Sequence, residues 1–229
     1  MKQRILVWDL PTRIFHWTLA LSFAGAYLTA ESERWRDIHV LLGYTLAGLI
    51  AFRLIWGFTG TRYARFAEFV RGPSAITRYL KSLADGRPEH HVGHNPAGAV
   101  FVVLLLLLGI ASGVSGWMVL EDSGGEWLEE VHEFFSNAML AVVAVHILGV
   151  IVSSRLHGEN LTLAMLTGRK QGEAGQAIPS PRPLAGLFLL AGLLGFWGWS
   201  VYDAGTHAET ARSSLFGSAG PQEKDEDDD

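Results

Sequence analysis

The chain contains no cysteine. Disulfides, thiolate-ligated hemes, iron–sulfur clusters and covalent heme attachment are therefore excluded within it, and redox work must use histidine ligands or a diffusible cofactor. Charge is scarce as well. Only 18% of the 229 residues are charged while 49% are hydrophobic, which is too little charge for an ordinary soluble domain. No basic patch or motif for nucleic acid is present, and no internal repeat.

What the chain has instead is apolar residues in long blocks. Five of them, 14–30, 38–58, 96–120, 131–156 and 183–202, approach the roughly 20 residues that a bilayer core requires, with Val100 to Leu108 an unbroken apolar run. The chain thus reads as an all-α integral membrane protein, in which residues 1–168 form a four-helix core. A linker (169–182), an extra fifth span (183–202) and an acidic disordered tail (203–229) follow. The first block could also serve as the apolar region of a signal peptide cleaved near Ala30. Its opening Trp8-Asp9-Leu10-Pro11 and internal His16-Trp17 fit a membrane-interface approach segment better.

Lysine and arginine set the orientation. Thirteen lie on one side: Lys2, Arg4 and Arg13; six between Arg62 and Arg87; and Arg155, Arg169, Lys170 and Arg182. The other side carries four, Arg34, Arg36, Arg212 and Lys224. The positive-inside rule then places the N-terminus in the cytoplasm and the C-terminus outside a bacterial inner membrane, a parity that five spans satisfy.

Two histidines share the fourth block. His132 and His146 are fourteen residues apart, which on a helix returns the second imidazole to within roughly 40° of the first, about 21 Å along the axis. Ionisable groups inside a membrane helix are costly and usually functional, and this registry asks for two cofactors, one near each membrane face. Sorted by depth, His39 pairs with His132 near the outer face and His16 with His146 near the inner face. These are the expected axial ligands of two b-type hemes, six-coordinate and suited to electron transfer. His90, His91, His157 and His207 read as loop, rim or tail residues.

Arg53, inside the second block, either snorkels to the headgroups or pairs with a heme propionate. In Gly93-His94-Asn95-Pro96, Asn95 is a helix cap or, with His94, a contact to quinone or propionate. Trp17, Trp56, Trp117 and Trp127 are assigned to interfacial belts, and the glycines at 109, 113, 116, 192, 195 and 198 to close helix packing. The closing run Glu223 to Asp229 is a solvated tail or an attractor of a basic partner.

The four histidines, the stretches Val7 to Trp17, Ile38 to Tyr44 and Phe52 to Phe58, and Gly93-His94-Asn95-Pro96 together resemble the bacterial cytochrome b561 family over roughly Arg4 to Gly168. That family includes the cytochrome subunits of nickel–iron hydrogenases and the gamma subunits of formate dehydrogenases. The resemblance implies a four-helix diheme core whose first, second and fourth helices supply the ligands, the fourth giving one to each heme. It also implies exchange of electrons with membrane quinone near the cytoplasmic heme, where His94 and Asn95 are the nearest matches to a polar residue ahead of the third helix. The fifth span is an addition to that core.

The expected function is electron transfer between the quinone pool and a periplasmic partner, either a c-type cytochrome or a hydrogenase-like subunit. The acidic outer connection and tail favour a lysine-bearing cytochrome c. A stand-alone superoxide:quinone oxidoreductase and a heme-free anchor or transporter are the alternatives. A homodimer is compatible with the chain.

Overall fold

The computed structural model describes residues 3–87 and 89–217, so the acidic run Glu223 to Asp229 lies outside the described residues. In chain order the elements are strand β1 (Gln3–Leu6), helices α1 (Leu10–Thr29), α2 (Arg36–Thr59), α3 (Phe66–Phe69), α4 (Pro73–Ala84), α5 (Pro96–Leu120), α6 (Trp127–His157) and α7 (Leu161–Thr167), strand β2 (Arg169–Gly172) and helix α8 (Pro183–Gly217). Two compact units result, 1–190 and 191–229, with the division falling inside α8.

Local chemistry explains the helix ends. The first helix starts at Leu10, ahead of the expected Ile14, because the Asp9 carboxylate accepts the Thr12 N–H at 2.8 Å and Pro11 suits the first turn. Asn95 caps α5 in the same way, accepting from the Gly98 N–H at 2.6 Å, and α5 covers the expected 96–120. Helix α6 outruns its expected span at both ends and stops at Gly158, whose φ of +61° is the left-handed conformation glycine adopts freely. Helix α8 continues past Tyr202 to Gly217.

Among the described residues, four segments are long and apolar enough to cross a membrane: Glu33–Thr59, Pro96–Leu120, Trp127–His157 and Pro183–Thr206. Their flanks are apolar and exposed, as at Leu107 and Val114 on α5 and Leu148 and Ile151 on α6, and a bilayer would cover such surface. Helix α1 is diluted by Thr12, Arg13, His16, Thr18 and Ser22, but its 20 residues reach about 30 Å. Strand β1 precedes α1, β2 follows α6, and the two pair antiparallel with Leu6 opposite Arg169. Paired strands share one side, so an even number of crossings separates them, and α1 therefore crosses with α2, α5 and α6.

Within unit 1 these four helices pack as α1 on α2 and α5 on α6, with α2 against α5 joining the pairs. A small cap closes one end. Ile5, Val7, Trp8, Tyr63 and Ile178 form its buried apolar cluster, flanked by Leu6, Val92 and Met165. The Tyr63 hydroxyl donates to the Gln176 carbonyl at 2.7 Å, and the Val7 and Trp8 N–H groups both donate to the Gly168 carbonyl. Residues 169–182 are thus part of the cap through β2 and Ile178.

Candidate functional site

Away from the cap, His39 on α2 and His132 on α6 face one another with ring centres 6.1 Å apart and ring planes at 83°. The His39 Nδ1 lies 2.8 Å from the Ala26 carbonyl of α1, and the His132 Nδ1 lies 2.9 Å from the Ser112 carbonyl of α5, with Ser115 Oγ at 3.3 Å. A carbonyl only accepts, so Nδ1 carries the proton on both rings and each Nε2 keeps its lone pair.

Gly116 makes the second contact reachable. One helical turn beyond Ser112, it has no side chain over that carbonyl, and a Cβ there would stand 2.8 Å from His132 Cε1 and 3.0 Å from Nδ1. Of the six glycines assigned to close packing, Gly116 meets the imidazole and Gly109 meets Ile50 at 2.7 Å, while Gly113, Gly192, Gly195 and Gly198 have nothing within 4 Å.

This pair fits a bis-imidazole metal. Facing rings whose Nδ1 atoms are taken up by carbonyls leave their Nε2 atoms to hold one metal between them, and a heme bound there would supply one-electron chemistry. Gly43, four residues after His39 on the same helical face, has nothing within 4 Å of where a Cβ would stand, which leaves room for a flat macrocycle beside the ring.

At the cap end the remaining ligand candidates gather with the polar residues. His16 on α1 and His146 on α6 lie within electrostatic reach of each other, and His94, just before α5, is within reach of both and of Arg53. Four nitrogens here are buried without a hydrogen-bond partner: Nδ1 of His16, Nε1 of Trp17, Nδ1 of His94 and one terminal nitrogen of Arg53. Buried unsatisfied donors are costly, so such a cluster is suited to a polar ligand with acceptor oxygens, such as a heme propionate. Burial, with the Arg53 charge adding to it, pushes the His94 imidazole down to about 3 and keeps it neutral.

Arg53 does not snorkel. It is 3% exposed and packed on the rings of Phe66 (4.8 Å) and Phe69 (5.8 Å). Phe69 also walls His94 at 4.5 Å, and Trp8 closes that ring from another side at 4.7 Å. Asn95 Oδ1 is taken up by the cap of α5, which supports its capping reading. The four tryptophans divide. Trp117 and Trp127 are exposed, as interfacial residues would be, whereas Trp17 stands edge-on to His16 at 5.1 Å with its N–H buried, and the Trp56 N–H donates to Asp9 at 3.1 Å.

Sequence reasoning missed Asp9, Ser112 and the specific role of Gly116. Asp9 was legible: an acidic residue directly before Leu-Pro is a helix-start signal. The carbonyl of Ser112 leaves no trace in residue order.

Comparison with known proteins is in accord with this geometry. Residues 7–168 match the prokaryotic cytochrome b561 family. Relatives include a probable Ni/Fe-hydrogenase B-type cytochrome subunit of Rhizobium leguminosarum bv. viciae, 24% identical over 74% of this chain and 90% of the relative. Proteins of the same description from Azotobacter chroococcum mcd 1 and Azotobacter vinelandii are each 27% identical over 53% of this chain, and over 62% and 61% of their own lengths. No solved structure gives a significant match.

Proposed function

The chain belongs to the prokaryotic cytochrome b561 family, and from that premise we propose that it binds two b-type hemes and passes electrons between an outer redox protein and quinone. It is an integral membrane b-type cytochrome of electron transfer.

The observation that carries the diheme reading is the His39–His132 pair, with ring centres 6.1 Å apart and both Nδ1 atoms engaged by helix carbonyls. His16 and His146 form the second pair, and Arg53 and His94 hold acceptor oxygens beside it. Heme iron, when bound, cycles between two oxidation states and so carries one electron at a time. The residues do the rest. The Ala26 and Ser112 carbonyls fix the ligand tautomers, Gly116 admits the His132 ring, and the cap shields the inner pair from water.

The lysine and arginine asymmetry supports placing the cap in the cytoplasm and the His39–His132 pair toward the periplasm of a bacterial inner membrane. The names of the relatives support a hydrogenase-like partner, and the proposed route then runs from that partner to quinone near His94 and Asn95. A second reading, a c-type cytochrome as outer partner, rests on the acidic connection of Glu121, Asp122 and Glu126 with Glu129 and Glu130.

Pyridine hemochrome quantification with reduced-minus-oxidised spectra, on the wild type, His132→Ala and His146→Ala, tests the core of the proposal. Two hemes per wild-type chain, with a different one lost in each variant, are expected. A colourless protein, or full heme content in both variants, would return the chain to the anchor or transporter reading.

A further inference from the structure

Asp9 is fully buried, and its carboxylate takes three donors: the Thr12 N–H at 2.8 Å, the Trp56 indole N–H at 3.1 Å and the Thr61 hydroxyl at 2.5 Å. The first belongs to α1, the helix that carries His16. The other two come from the last turn of α2 and the residues after it, so one carboxylate ties the start of one helix to the end of its neighbour. A helix cap needs only the first contact.

Trp56 follows Arg53 by three residues and so shares its helical face. Arg53 is itself buried, its charge lies over two phenylalanine rings, and the buried Asp9 carboxylate acts on it electrostatically. No ion pair joins the two at contact distance. The guanidinium keeps a terminal nitrogen without a partner. A buried cation that is balanced at a distance but not quenched by contact remains available to a third group.

We infer that Asp9 is a positioning residue that sets the redox potential at the His16–His146 end by balancing the charge of Arg53. This rests on the diheme reading above. When Asp9 is neutral, its negative charge no longer offsets that of Arg53 at that end, and reduction there, which adds an electron, becomes easier. For a unit charge about 10 Å away at an effective dielectric of about 20, the expected effect is on the order of tenfold in the reduced-to-oxidised ratio, or about 59 mV for one electron.

The test is a spectroelectrochemical titration of the purified two-heme protein as wild type, Asp9→Asn, Arg53→Gln and the double variant. The heme that His146→Ala removes identifies the inner signal, and the other serves as internal reference. Asp9→Asn is expected to raise the inner midpoint by about 59 mV and leave the outer one in place. Arg53→Gln lowers the inner midpoint, and adding Asp9→Asn to it raises the midpoint again by a similar amount, so the double variant returns toward the wild type because the two opposed fields add.

An unmoved inner midpoint in a folded Asp9→Asn protein, an equal shift at both hemes, or an inner midpoint that Arg53→Gln fails to lower overturns the inference. If Asp9→Asn does not accumulate, Thr61→Val and Trp56→Phe release the same carboxylate while keeping its charge. An inner-only displacement in them supports the role and its absence overturns it. A wild type without two hemes overturns the diheme reading itself, which is a separable result.

Discussion

Replacing Gly116 by alanine tests the outer pair without touching a ligand. The added Cβ would stand 2.8 Å from His132 Cε1, about 1 Å inside ordinary van der Waals contact, so the imidazole must retreat. Retreat stretches the 2.9 Å bond from Nδ1 to the Ser112 carbonyl that fixes the ring. Overpacking of this kind costs about 1–3 kcal/mol, and loss of a hydrogen bond behind a metal ligand weakens metal affinity roughly 10- to 100-fold. Alanine is otherwise the better helix former, by about 1 kcal/mol, so backbone propensity opposes the expected loss. Heme content per chain is the assay, read beside the reduced-minus-oxidised spectrum after dilution and gel filtration. The His39–His132 heme should be depleted and the His16–His146 heme retained. Gly192→Ala, at a position in α8 with nothing within 4 Å of the new atom, should keep both. Full, spectrally unaltered heme content in Gly116→Ala would refute the claim that this glycine exists to seat His132.

Three further outcomes follow from the cap end. Lys170 is 6% exposed, 3.7 Å from Glu159, and donates to the His91 carbonyl at 3.2 Å; Lys170→Met should cost about 3 kcal/mol by leaving Glu159 unbalanced, and adding Glu159→Leu should restore most of it in thermal denaturation. The His94 imidazole is held down at about 3 against an ordinary 6.5, so the unfolded chain takes up its proton first; that share of stability is complete above pH 6.5 and is lost as pH falls toward 3. Melting temperatures of His94→Gln across that window should show a flatter acid limb than the wild type, and an identical limb would contradict the assignment. Gly158→Ala forces a side chain into the left-handed conformation at the end of α6 and should lower stability by about 1–2 kcal/mol, with heme spectra intact.

Residue order carried the helices well because a bilayer imposes length and composition directly. The third block and α5 share both ends, since Asn95-Pro96 is a complete start signal and the apolar run halts at Glu121. The first block was placed four residues late because Asp9 was weighed as part of an aromatic approach segment and not as a cap. The assignment of His39 to His132 followed from depth alone, and the structure brings those rings together. His16 and His146 gather at the other end, by charge proximity and not by a ring contact. Harder to read were partners that meet across the chain: the Ser112 carbonyl at His132, Trp56 and Thr61 at Asp9, Phe69 at His94. Their sequence separations run from twenty to over fifty residues, and no local periodicity encodes them. Trp56 shows the limit well, since a tryptophan near a helix end has the same signature whether it anchors in headgroups or donates to a buried carboxylate.

The pairing of β1 with β2 also fixes an order of assembly. Residues 3–6 emerge first, yet their partners at 169–172 are made only after all four helices of unit 1. At about 5–20 residues per second, strand β1 waits roughly 8–35 s during synthesis with Ile5, Val7 and Trp8 uncovered. His16 likewise waits for His146, whereas His39 needs only His132. Both pairs are complete in the chain before β2 is made, so the strand pairing is the last to form, locking residues 3–6 beneath the final turns of the core.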